Sequence, residues 1–225
     1  MGVTARRPAG RIDLAELPRR DGELLAVLDR GFGEAARRAG SRLLCAPGCS
    51  DCCHGPFPIT RLDVWRLRRG LAALAAGAPE GRRRAAAIVE RAARAVGLLI
   101  EDYPGDPSTG RLADDEKRLD RFFARHDAMP CPVLDPRTGR CELYDSRPVS
   151  CRSYGPPLRF DGVDAPPCPL CFQGSDSASV DRCRLEPDPQ GLEETILGRM
   201  GQPAGETLIA FAVAREENSL LKGQL

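Results

Sequence analysis

The chain is short of almost everything that electrostatic steering or base stacking would need. Of its 33 basic residues only Lys117 and Lys222 are lysines, and 32 acidic residues leave a formal net charge of +1. A field strong enough to recruit nucleic acid or an anionic membrane is absent, and the arginine excess reads as a coding bias rather than a binding surface. Aromatics make up 5% of the residues, with a single tryptophan, so stacking platforms for single-stranded nucleic acid are few. His54 and His126 are the only histidines. No apolar stretch approaches the ~18 residues that read as a membrane span. A phosphate-cradling glycine loop, a nucleophile elbow and a solenoid-length repeat are all missing.

The opening residues, Met1-Gly2-Val3-Thr4-Ala5-Arg6-Arg7-Pro8, carry no apolar region of a secretory signal. Arg6 stands where a myristoylation signal wants Ser or Thr. The expected compartment is therefore the reducing cytoplasm, where clustered cysteines bind metal or do redox chemistry more often than they form disulfides.

What is there is helix pattern and cysteine. At 225 residues the chain is expected as a flexible segment over 1–20 followed by a single domain over 21–225. That domain reads as helical over 21–129, rich in Cys, Pro and Gly over 130–190, and helical again over 191–225. Leu24, Leu28, Phe32, Ala35 and Ala39 give a helical stripe over Asp21–Ala39, weakened by Gly31 and Gly33. Thr60 with Asp63 is a capping-box pair, preceding Val64, Leu67, Leu71 and Leu74, with Arg66 and Arg69 expected on the opposite, solvated face. Pro79 opens a third helix, lined by Ile88, Ala92, Ala95, Val96 and Leu99. Asp114, Asp115 and Glu116 give a fourth an acidic first turn, with Leu119, Phe122 and Phe123 inward and His126 at the core edge. A last helix is expected over Gly205–Leu221.

The stretch from Pro130 to Gln190 is too poor in Leu, Ile, Val and Phe to offset its ordering entropy by apolar burial alone. Yet it holds six of the ten cysteines. A structural zinc site supplies on the order of 10–16 kcal/mol, so metal is the expected substitute for a core there. The predicted fold class is mainly α with a small metal-stapled β-hairpin and loop region.

The first cluster is Cys45-Ala-Pro-Gly-Cys49-Ser-Asp-Cys52-Cys53-His54. Spacings this short put several sulfurs within reach of one ion, and Pro47-Gly48 lets the backbone wrap around it. Cys52 and Cys53 are adjacent, so in an extended backbone their side chains diverge, and one of them either serves a second ion or packs. His54 is the weaker ligand candidate, because thiolates can already fill a tetrahedral shell. The second cluster runs from Cys131 to Cys141 about the turn Asp135-Pro136-Arg137-Thr138-Gly139, a hairpin expected to bring Cys131 opposite Cys141. Cys151 follows on a short helical turn begun by Pro148, with Ser146 near its cap. Arg147 and Arg152 flank it, either to offset thiolate charge or as ordinary surface arginines. Cys168-Pro-Leu-Cys171 is a compact pair, preceded by prolines rather than by the strand of a redox motif. The role of Cys183 is left open.

Cys49-x-x-Cys52-Cys53, Cys131-Pro-x-Leu and Cys141-x-x-Tyr144-x-x-Arg147-Pro148-x-x-Cys151-Arg152 together resemble the YkgJ-type, or CxxCxxCC, cysteine-cluster family. The resemblance covers about Cys45 to Cys171. It implies a zinc- or iron-chelating domain with Cys49, Cys52, Cys53, Cys131, Cys141 and Cys151 as ligands. Three residues separate Cys45 from Cys49 where the family name implies two, which makes Cys45 the departure. From residues and resemblance together, the candidate ligands are Cys45, Cys49, Cys52, Cys53, Cys131, Cys141, Cys151, Cys168 and Cys171. The cofactor is zinc or iron, a [4Fe-4S] cluster included.

The leading expectation is a metal-binding protein with one or two thiolate sites. The alternative is an iron–sulfur enzyme using S-adenosylmethionine, since Cys45-x3-Cys49-x2-Cys52 has the spacing of that motif and flagellin N-methylases look similar around their cysteines. Asp51 stands where that motif usually has an aromatic residue, and no strand series suggests a barrel. A zinc-based nucleic-acid module is the third and weakest, resting on Arg66, Arg68, Arg69 and Arg82–Arg84. Beyond a metal ion, the sequence names no protein partner.

Overall fold

The computed structural model describes residues 12–13, 15–46, 48–160, 162–201 and 205–214. Among them the helices are α1 (Leu17–Ala39), α2 (Arg61–Ala76), α3 (Pro79–Leu99), α4 (Glu116–Arg125), α5 (Val149–Ser153), α6 (Ser177–Asp181), α7 (Leu192–Arg199) and α8 (Ile209–Ala214). The strands are β1 (Pro58–Ile59), β2 (Gly105–Asp106), β3 (Arg111–Leu112), β4 (Leu158–Phe160), β5 (Val163–Ala165) and β6 (Thr207–Leu208). They pair antiparallel as β1–β6, β2–β3 and β4–β5. The protein is mainly α with small sheets, as the sequence pattern predicts.

Two compact units divide the chain, one from the described parts of Met1–Leu43 and Gly155–Ala204, the other from those of Leu44–Tyr154 and Gly205–Leu225. The first is built on α1, which starts at Leu17 rather than Asp21, with a proline in its opening turn. Leu17, Leu24, Leu28, Ala35 and Ala39 are buried along one side. Gly31, which weakens the helix on paper, gives room to Leu185, whose Cδ1 would stand 2.9 Å from a Cβ there. Helix α7 packs on α1.

The second unit is a packing of α2, α3 and α8 on one another. Its core joins Ile59, Val64, Leu67, Ile88, Ala92, Val133, Leu143, Ile209, Ala212 and Val213, and Cys131, Cys141 and Cys151 lie against it. Helix α2 begins where the capping box predicts: Thr60 Oγ1 accepts from the Asp63 amide, and the Asp63 carboxylate accepts from the Thr60 amide, both at 3.3 Å. Helix α3 starts at Pro79 and buries Ile88, Ala92, Ala95 and Leu99. Helix α4 is capped by Asp115, whose carboxylate takes the Arg118 amide at 3.1 Å. A second cluster gathers Tyr103, Leu112, Phe122, Leu208 and Phe211. His126 sits at its edge, 4.8 Å from the Phe122 ring and 3.0 Å from Asp102. The expected last helix starts late, at Ile209 (α8). Residues 205–206 are coil and Thr207–Leu208 form β6, held by its pairing with β1. The expected stretch from 215 on lies outside the described residues.

Candidate metal centre

The loop bearing the first cysteine block is tightly turned. The Cys49 amide donates to Ala46 and the Cys53 amide to Ser50, both at 2.9 Å, and Asp51–Cys53 forms a single 3-10 turn. Beyond it the backbone runs antiparallel to the entry of the second block. His54 bridges Pro130, the Gly55 amide donates to Met129 at 2.7 Å, and the Cys131 amide donates to Cys53 at 2.8 Å. Two blocks far apart in sequence are therefore joined through main-chain hydrogen bonds. The exposed His54 ring is held locally, its Nδ1 3.1 Å from the Ser50 carbonyl.

The expected hairpin forms with a different register. Cys141 stands opposite Leu134, not opposite Cys131, because the Leu134 amide folds back onto the Cys131 carbonyl at 3.0 Å and shortens the first arm. The tip closes as predicted, with Gly139 at φ +66° donating to Asp135, whose own amide donates to Arg140. Glu142, its side chain only 6% exposed, braces this knuckle by pairing with Arg84 at 2.9 Å and with Arg91. Arg91 also donates to the Pro132 carbonyl at 2.9 Å.

The third segment is a turn over Tyr144–Ser146 followed by α5, which carries Cys151. Sequence suggests a local cap from Ser146, but the cap comes from α2 instead. Asp63 Oδ1 accepts the Val149 amide at 3.0 Å and also takes Arg66, and Arg66 donates to the Arg147 carbonyl at 3.3 Å. Asp63 and Arg66 are 2% and 4% exposed, which corrects the expectation that Arg66 lies on a solvated face. Ser146 meets α2 at Gly70, where a Cβ would fall 2.2 Å from the Ser146 Oγ. The other basic residues are likewise engaged: Arg68 donates to Ala212 at 2.8 Å, Arg69 stacks over Trp65 and Arg83 pairs with Glu80.

Four thiols from these three segments act on one another. The Cys52 thiol is raised by its hydrogen bond with Cys53 and then by burial, with Arg147 opposing. Burial pushes Cys131 up to about 12, and Cys141 and Cys52 add to it. Cys141 is raised by burial, with Arg147 pulling down and Cys52 pushing up. Cys151 is held well above the ordinary thiol range by burial, then by Cys131, Cys141 and Cys52. Half-buried and disfavoured as thiolates by burial and by one another, they favour their protonated forms. The two arginines of this segment differ in role. Arg147, stacked 3.5 Å over the Tyr144 ring, favours the thiolate forms of Cys52 and Cys141, whereas Arg152 donates to the Arg147 and Asp145 carbonyls and holds the turn.

The remaining cysteines are placed otherwise. Cys45 donates to the Tyr154 carbonyl at 3.7 Å and Cys49 is exposed. Cys168, Cys171 and Cys183 are buried and belong to the unit built on α1. Cys171 closes a turn on Cys168 at 2.8 Å, and Cys183 donates to Ser179 at 3.4 Å. None of the ten cysteines is in a disulfide. Among the described residues no three His, Cys, Asp or Glu side chains are already drawn to metal-holding geometry. The donor chemistry nonetheless fits a soft cation, since thiolates select zinc, copper(I) or iron–sulfur clusters over hard ions. The nearby carboxylate of Asp63 is committed to Thr60, Arg66 and Val149.

Such a helical scaffold gathering cysteines from separate segments defines a cysteine-cluster protein. Residues 44–169 match the family model "CxxCxxCC: Putative zinc- or iron-chelating domain". That match spans more than half of the chain, and the protein belongs to this family. No curated protein and no solved structure matches it. No described helix is long and apolar enough to cross a membrane.

Proposed function

We propose that this protein holds zinc or iron through Cys52, Cys131, Cys141 and Cys151, with Cys45, Cys49 and Cys53 of the same loop as the reserve of further thiols. The observation that supports the reading is that Cys131, Cys141 and Cys151 lie against one core cluster, while the Cys131 amide donates to the carbonyl of Cys53, the neighbour of Cys52. The four thiols are each raised by burial or by a neighbouring thiol. Raised thiols bind a proton tightly, so uptake of a cation must displace protons, and affinity must climb with pH. A bound ion supplies a cross-link between the loop, the knuckle and α5. Arg147 offsets part of the negative charge that four thiolates bring. Cys168 and Cys171 lie in the other unit and are not used in this assignment.

The test is elemental analysis and a visible spectrum of protein purified without air. Stoichiometric zinc in a colourless sample, lost in Cys141→Ser, supports a zinc site. Iron with acid-labile sulfide and a brown charge-transfer band assigns a cluster to the same thiols. A chain free of both metals that takes up neither on anaerobic reconstitution overturns the reading.

A further inference from the structure

We infer that one face of α2, formed by Asp63, Arg66 and Gly70, is the positioning element of the proposed metal site, fixing the path of the segment that carries Arg147 and Cys151. The inference rests on the thiolate site proposed above. Spacings of three and four put these residues on one stripe of the helix. They meet the Ser146–Cys151 segment in reverse order: Asp63 takes the Val149 amide, Arg66 reaches the Arg147 carbonyl, and Gly70 admits Ser146.

The chemistry of the contacts is unusual for simple packing. A buried ion pair is costly to desolvate and is often matched by apolar residues of similar volume. Here its hydrogen bonds go to main-chain groups on either side of Pro148, the residue with no amide to offer. Those bonds define the backbone path through the turn whatever the side chains do. The Val149 amide is the first of α5 and has no side-chain cap of its own, so Asp63 serves as a cap supplied by another helix. Two residues beyond that amide sits Cys151, and two before it sits Arg147. Thiolate–zinc bonds of ~2.3 Å leave little tolerance for a ligand held by a loose turn.

Asp63 also closes the capping box of α2, so its substitution alone would mix lost stability with lost positioning. Val149→Pro separates them. It removes the amide donor together with part of the buried Val149 side chain, at a helix position where proline is tolerated, and Phe122→Leu serves as the control for lost packing. Pro148, at φ −52° and ψ 157°, is already in the extended conformation required before a proline. The capping box and the Asp63–Arg66 pair are left intact.

The experiment is zinc affinity by chelator competition together with the cobalt(II) ligand-field and charge-transfer spectrum, for wild type, Val149→Pro, Asp63→Asn and Phe122→Leu. Groups that orient metal ligands are typically worth about 10–100-fold in affinity. Val149→Pro and Asp63→Asn are expected to lose that much, with a weakened cobalt–thiolate band and retained helicity. Phe122→Leu, in the other cluster of the unit, is expected to lower the melting temperature without moving either readout. Val149→Pro with wild-type zinc affinity and an unchanged cobalt spectrum overturns the inference. A wild-type chain that binds neither zinc nor cobalt overturns the thiolate site instead.

Discussion

The Cys131 amide donates to the Cys53 carbonyl at 2.8 Å, so the two cysteine blocks are joined by main chain. A metal ion bound at the proposed site would then not be needed to bring the blocks together. In a zinc finger, where no such framework exists, metal and fold are lost together.

From this follows a separation of metal binding from folding. Cys151→Ser is expected to lower zinc affinity by more than the ~100-fold at the top of the range for groups that only orient ligands. The metal-free fold should be retained. Cys183→Ser should do the reverse, because that buried thiol bonds Ser179 within the other unit. Its metal content should match wild type, and its stability should fall by about 1–3 kcal/mol from a poorly accommodated hydroxyl. Metal analysis and thermal melts on both proteins check this; a Cys151→Ser protein with full metal would refute the ligand assignment.

Much of the scaffold was legible in the residues. The Thr60–Asp63 capping box, Pro79 and the Asp115 cap mark helix starts because each satisfies local orphan amides, and local physics is what sequence spacing encodes. The knuckle tip at Asp135–Gly139 was legible for the same reason. Its register was not, since the fold-back of Leu134 onto Cys131 removes the symmetry that counting residues assumes. Nor was the burial of Arg66 readable. On a helical wheel it lies away from the Val64–Leu67–Leu71 stripe, and only the arrival of Arg147 and Val149 from a distant segment makes that second face an interior one. The contribution of Asp63 to α5 stayed hidden because the capping box already accounted for its carboxylate.

Thiol titration gives the metal-free protein an alkaline weakness. Cys131 is pushed up to about 12 in the folded chain from an ordinary value of 9.0, by burial first, and Cys141 and Cys151 are raised as well. The folded state thus retains protons that the unfolded chain releases. The contribution of Cys131 is complete below about pH 9 and falls as pH rises towards 12, by about 1.4 kcal/mol per pH unit, and Cys141 and Cys151 act in the same direction. Thermal melts of the metal-free protein between pH 7 and pH 10.5 should show this decline, and Cys131→Ala should make it shallower without abolishing it. A wild-type melting temperature independent of pH above 9 would contradict the burial argument. Zinc affinity over the same range should move oppositely and rise.

Gly70 tests how closely α2 and the Tyr144–Ser146 turn must approach. Alanine there would gain about 1 kcal/mol of helix propensity. Its Cβ, however, would stand 2.2 Å from Ser146 Oγ and 2.6 Å from Ser146 Cβ, and a Cβ cannot swing aside as a side-chain tip can. Overpacking costs typically 1–3 kcal/mol, so Gly70→Ala should destabilise. Gly70→Ala with Ser146→Gly removes both clashing atoms, and the double variant should recover most of the loss. A double-mutant cycle from thermal or denaturant unfolding measures the coupling, and additive losses would show that the two residues do not constrain each other.

Glu142 offers the complementary test on the knuckle side. Its carboxylate joins Arg84 and Arg91, and Arg91 carries the connection onward to the Pro132 carbonyl. The Glu142 amide meanwhile donates to Val133 at 2.8 Å, so the side chain and main chain of one residue hold both arms of the turn. Removing the charge in Glu142→Gln leaves Arg84, at 42% side-chain exposure, free to turn to water, but Arg91 at 20% is less able to do so. The expected cost is about 1.5–3 kcal/mol, the range for hydrogen bonds to charged groups, short of breaking a fully buried pair. Because the brace lies between α3 and the turn that presents Cys131 and Cys141, the loss should be local. Amide exchange at Glu142 and Leu134 should accelerate more than exchange along α2. Uniform acceleration across the unit would instead make Glu142 a contributor to global stability alone.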